Sequence, residues 1–60
     1  MVYVLCIESD AALLHRMKEF LEKSDDFHVD TAPSVSVALQ KMKMTFYDAI
    51  ISDFHVKGVN

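Results

Sequence analysis

The sixty residues hold one cysteine, one proline and one glycine, and the scarcity of cysteine and of glycine each removes a class of function. With Cys6 alone, no intrachain disulfide can form and no cysteine metal pattern exists, so Cys6 reads as a small core residue of a cytoplasmic protein. The single glycine, Gly58, falls near the end, which leaves no glycine-rich turn after an early strand to cradle a nucleotide phosphate. Long apolar stretches are missing too. The opening run Val2–Ile7 follows no basic segment and stops at Glu8, too short for a signal peptide or a membrane span. Basic residues are few, six Lys and Arg against nine Asp and Glu, and the net charge of -3 is scattered. That distribution predicts no nucleic-acid contact and no anionic membrane surface.

What is present belongs to a folded chain: 52% of residues are hydrophobic and 25% charged. Residues 1–60 read as one domain, without repeats or linkers. A chain this short buries about 60% of the surface its unfolded form exposes, so its stability margin is predicted to be thin.

Val2–Ile7 is almost continuously apolar and β-branched, as suits a central strand covered on both faces. Ser9 or Asp10 can cap a following helix from about Ala11, in which Leu13, Leu14, Met17, Phe20 and Leu21 form an apolar stripe. His15, Arg16, Lys18, Glu19 and Glu22 fall opposite it. After the polar break Ser24-Asp25-Asp26, Phe27, Val29 and Thr31 alternate with His28 and Asp30, which predicts a half-exposed edge strand closed by Pro33. Ser34 is the next cap, Val35, Ala38, Leu39 and Met42 mark a second helix face, and Lys41 and Lys43 suit the negative pole of its dipole. Met17, Met42 and Met44 are expected to fill core space, and Phe46 with Tyr47 to form a lid at the amino side of the sheet. Residues 48–53 read as a third strand, apolar in the middle and acidic at its end, and residues 54–60 as a loop.

Strand, helix, strand, helix, strand predicts an α/β unit with a three-stranded parallel sheet in βαβαβ order. The first strand should lie between the others, with the helices on opposite faces. The residues that follow the first and third strands then meet at the carboxyl edge of the sheet, where such folds bind their ligands. Glu8, Ser9, Asp10 and Asp53 fall there. Two carboxylates about 4 Å apart repel by about 4 kcal/mol at an effective dielectric near 20. They call for a cation or a proton, and a small cluster of hard oxygen donors favours Mg²⁺. An aspartate at a rigid strand end is also a competent nucleophile toward phosphoryl groups. Read one by one, the same acids fit better as helix caps or solvated loop residues, because strand-end acids are common at such edges. His15, His28 and His55 are too widely spaced for a zinc pattern and read as surface residues.

Across all sixty residues the chain resembles the receiver domain of two-component response regulators, N-terminal half only. The likeness rests on Val4-Leu5-Cys6-Ile7-Glu8-Ser9-Asp10-Ala11-Ala12-Leu13-Leu14, on Thr31-Ala32 with Ser34 and Ala38-Leu39, and most sharply on the run from Tyr47 through Asp53 to Asn60. The resemblance implies a flavodoxin-like doubly wound fold, truncated here, since the family uses five strands. It implies Asp53 as phospho-acceptor and metal ligand, Glu8 and Ser9 at the acidic-pair positions, and the backbone carbonyl of His55 completing an Mg²⁺ site. Its partner would be a histidine kinase. Such a module is not an enzyme, because the phosphoryl transfer is to itself. Ser9 stands where the family usually has an aspartate ligand, and a neutral hydroxyl holds Mg²⁺ less well than a carboxylate. Lys57 replaces the loop proline, and Val56 and Val59 replace methionines. The family's later hydroxyl and lysine positions have no counterpart in these sixty residues. The alternative is a degenerate or truncated receiver acting as a non-catalytic interaction module, with self-association through the third strand, whose outer edge has no successor to pair with.

Overall fold

A computed structural model describes residues 1–52, and residues 53–60 lie outside the described part. Strand β1 (Val2–Ile7) occupies the middle of a three-stranded sheet because its side chains are apolar on both sides. Val4 and Cys6 face one way and pack with Leu14 and Val29. Leu5 and Ile7 face the other way and pack with Ala32 and Ala38. Alternate residues of one strand thus supply two cores, and each core needs its own covering helix.

Helix α1 (Ala11–Glu22) covers the first core and helix α2 (Val35–Met44) the second. Asp10 starts α1 by accepting from the backbone N–H groups of Ala12 and Leu13, at 3.0 and 3.2 Å. Ser34 starts α2 in the same way through the N–H of Val37. Asp10→Ala is expected to cost about 1 kcal/mol and to lower the melting temperature by about 4–8 °C in a domain of this size. Thermal unfolding followed by circular dichroism checks it.

Strand β2 (Phe27–Ala32) and strand β3 (Ala49–Ser52) both pair parallel with β1, giving the order β2-β1-β3. Val4 lies opposite Val29, and Ile7 lies opposite both Ala32 and Ser52. The βαβαβ order, the central first strand, the edge position of β2 and the two-sided helix cover agree with the sequence expectation.

Several side chains depart from it. Phe20 is 71% exposed and Leu13 lies near the surface, so the buried stripe of α1 is Leu14, flanked by Met17 and Leu21. The helix is rotated relative to a pure hydrophobic pattern because Lys18 and Glu22 are drawn over the edge of β2. Lys18 Nζ donates to the Val29 carbonyl at 2.7 Å, and Glu22 Oε2 accepts from the Val29 N–H at 3.1 Å. Two side chains predicted to face solvent therefore serve the sheet. On α2 the buried residue is Ala38, with Val35, Val37 and Met42 packed beside it, while Leu39 and Met44 are exposed. Phe46 is 81% exposed and forms no lid, whereas Tyr47 does pack on the second core.

Candidate functional site

The carboxyl edge of the sheet begins where β1 ends. Glu8 follows Ile7, its N–H donates to the Ala32 carbonyl at 3.1 Å, and the residue is only 6% exposed. One carboxylate oxygen, Oε2, accepts from the Asp10 N–H at 2.8 Å. That bond fixes the side chain at the sheet edge, under the first turn of α1, where the positive end of the helix dipole favours an anion. Among the described residues no Lys or Arg pairs with it. A carboxylate this buried without a cationic partner is costly unless a cation or further donors meet it.

Ser9 is exposed beside it, and Asp10 is occupied as the cap of α1. Among the described residues the edge therefore offers one buried carboxylate, one exposed hydroxyl and one carboxylate already engaged. Asp53 and the backbone carbonyl of His55, the other two predicted site positions, lie outside the described residues. Among the described residues there is no group of three or more His, Cys, Asp or Glu that could hold a metal ion. What the described part does establish is the parallel register. Ile7, the last residue of β1, lies opposite Ser52, and the residues that follow these two in the chain are Glu8 and Asp53. Adjacent strands run about 4.8 Å apart.

A second polar cluster sits on the α2 face, away from this edge, and single-residue patterns did not reveal it. Tyr47 donates its hydroxyl to Asp30 Oδ2 at 2.6 Å, His28 Nε2 lies 3.1 Å from Asp30 Oδ1, and the His28 ring lies 5.1 Å from that of Tyr3. The signal lay in the strand period: His28 and Asp30 are two apart and share a face, opposite Tyr3 and Leu5. The Tyr47 hydroxyl, opposed by the desolvation of partial burial, holds the Asp30 carboxyl below the usual carboxylate range. The bond to Asp30 in turn pushes the Tyr47 phenol up.

These shifts fix the pH dependence. Asp30 has a depressed folded pKa, so the stability it contributes is present above the unfolded aspartate value of about 3.9 and is lost as pH falls through the folded value. Tyr47 has a raised one, so its contribution is present below about 10 and is lost as pH rises through the folded value. Tyr47→Phe is expected to cost about 1 kcal/mol at neutral pH and to flatten both limbs. Urea unfolding midpoints measured from acid to alkaline pH check it.

Cys6 is buried and free, and its burial pushes the thiol up from its ordinary value, which makes it an inert core residue. Among the described residues no helix is long and apolar enough to cross a membrane. No family model, no curated protein and no solved structure matches this chain.

Proposed function

We propose that this chain is a receiver-type phospho-acceptor module of a two-component phosphorelay, with the flavodoxin-like, doubly wound fold of that family. A histidine kinase is the donor and Asp53 the acceptor. A carboxylate oxygen of Asp53 forms a bond to phosphorus as the phosphorus–nitrogen bond of a phosphohistidine breaks, and the leaving imidazole nitrogen takes up a proton. The product is an acyl phosphate on the chain itself.

The observation that carries this reading is the buried Glu8 carboxylate directly after Ile7, which lies opposite Ser52, the residue before Asp53. Phosphoryl transfer is mostly positioning and charge stabilisation, and a carboxylate anchored by a backbone N–H supplies a rigid half of a cation site. Its oxygen, the Ser9 hydroxyl, the Asp53 carboxylate and the His55 carbonyl are donors that suit Mg²⁺, which offsets charge on nucleophile and phosphate when bound. Ser9, being neutral, makes that site weaker than one built from two acids and a phospho-acceptor. The parallel sheet with a helix on each face supports the family's architecture as well.

The test is mass spectrometry after incubation with acetyl phosphate and Mg²⁺. The mass should rise by one phosphate, the adduct should be labile to hydroxylamine, and Asp53→Asn should abolish it. An unmodified wild-type chain, or an adduct that survives Asp53→Asn, would refute the assignment.

A further inference from the structure

The side-chain pattern of β3 does not fix its own pairing. Ala49, Ile50 and Ile51 are apolar in succession, and two of them are the same residue. Ile50 lies opposite Leu5 on the α2 face, and Ile51 lies opposite Cys6 on the α1 face. A slip of one position along β1 flips every side chain of a strand to the other face. In β3 such a slip puts one isoleucine where the other stood, so apolar burial barely separates the two pairings. In β2 the same slip would bring Asp30 opposite Val4, into the first core, and is forbidden by the cost of burying a charge.

Among the described residues, Asp48 separates the two pairings of β3. Its N–H donates to the Tyr3 carbonyl at 2.8 Å, and its Oδ2 accepts from the Tyr3 N–H, also at 2.8 Å. One residue thus takes both backbone polar groups of Tyr3, just before the first ladder pair, Val4 with Ala49. Only a short side chain that ends in an acceptor can do this. After a slip of one position, Tyr47 or Ala49 would stand beside Tyr3 instead. Ala49 has no acceptor, and the Tyr47 hydroxyl is already committed to Asp30 Oδ2 on β2, at 2.6 Å. That bond opposes the slip as well, since one step along a strand is about 3.3 Å.

We propose that Asp48 sets the register of β3 and so acts as a positioning residue for the phospho-acceptor, Asp53. The register follows from residues 1–52 alone, whereas its consequence for Asp53 rests on the phosphoryl reading above. Asp53 follows Ser52, the partner of Ile7, and a slip would carry it about 3.3 Å relative to Glu8. A misplacement of about 1 Å can cost a hundredfold where positioning governs the reaction. The slipped pairing should therefore be close to inert.

Isotopically labelled full chains of wild type, Asp48→Asn and Asp48→Ala test it. The readouts are side-chain contacts between β1 and β3 by nuclear Overhauser effects, amide exchange, and the rate of Asp53 modification by acetyl phosphate at saturating Mg²⁺. Asp48→Asn keeps an oxygen for the Tyr3 N–H and should keep both the Leu5–Ile50 contact and the wild-type rate. Asp48→Ala removes a hydrogen bond to a charged group, which should shift the ratio of the two pairings by roughly tenfold or more. Side-chain contacts of Leu5 with Ile51 should then appear, the Tyr3 amide should lose protection, and the rate should fall in proportion to the share that has slipped. The Val4 and Cys6 amides should stay protected, because they alternate with the Val2 and Glu8 N–H groups, which donate to the Asp26 and Ala32 carbonyls at the β2 side. Should Asp48→Ala fail to fold, Asp48→Val takes its place, a residue that favours extended backbone and offers no acceptor.

A single wild-type pairing in the variant that lacks the acceptor overturns the proposal, as does failure of both variants to fold, or a slipped strand modified at the full rate. A wild type that takes up no phosphate sinks the phosphoryl reading, and the positioning role with it, while the contacts of Leu5 still decide whether Asp48 sets the register.

Discussion

Leu5→Ala is expected to remove more than half of the chain's stability at 25 °C. Leu5 is fully buried in the central strand and packs on the α2 face among Ile7, Ala32 and Ala38. Removing a buried leucine side chain costs about 2–5 kcal/mol, the upper part of that range where the neighbours cannot close in. Here they are held by a strand on either side, through the pairs of Leu5 with Asp30 and with Ile50. Against this stands a total of roughly 3–9 kcal/mol for sixty residues. Substituting Phe20, larger but 71% exposed, should change stability by no more than about 0.5 kcal/mol. Far-UV circular dichroism and urea titration of the two variants side by side check the contrast, and equal destabilisation would mean the core is misplaced.

Glu8→Gln is expected to leave the fold in place and to weaken divalent-ion binding by about tenfold or more, since affinity follows the charge carried by the ligands. The amide oxygen of Gln can still accept from the Asp10 N–H, so the bond at 2.8 Å that anchors the side chain need not be lost. What disappears is a full negative charge in a site only 6% exposed, where charge interactions are screened less than at the surface. Modification of Asp53 by acetyl phosphate should slow in step at limiting Mg²⁺ and recover at saturating Mg²⁺. Ser9→Asp is the converse substitution and should tighten the ion and raise the modification rate. Isothermal titration with Mg²⁺ and timed mass spectra on the same variants check both, and a Glu8→Gln chain with unchanged affinity would place the ion elsewhere.

The fold was legible where one physical demand acted alone. The unbroken apolar run of β1 could only be a strand covered twice, and from it follow the central position and the helix on each face. Ser34 announced its capping role because a short polar oxygen before an apolar stripe has few other uses. Legibility failed where two demands competed. The stripe on α1 was drawn from hydrophobicity and included Leu13 and Phe20, but Lys18 and Glu22 satisfy the Val29 backbone groups at the sheet edge, and these hydrogen bonds settle which side of the helix turns inward. A hydrogen bond to another strand is invisible to helical periodicity. Phe46 and Tyr47 looked alike as aromatic neighbours, yet the hydroxyl of Tyr47 finds Asp30 and Phe46 has nothing comparable to hold it. At the candidate site, Glu8 could be assigned from its place after β1, but its burial and its bond to Asp10 required the folded turn.

The proposed phosphoryl chemistry requires acids from neighbouring strands to share one divalent ion. Titrating the isotopically labelled chain with Mn²⁺ and following its amide resonances measures this directly, because the paramagnetic ion broadens only signals near it. Broadening is expected first at Glu8, Ser9 and Ser52 together, reversed by excess Mg²⁺ and lost in Glu8→Gln. Broadening centred on Asp25 and Asp26, or at Glu8 without Ser52, would contradict it.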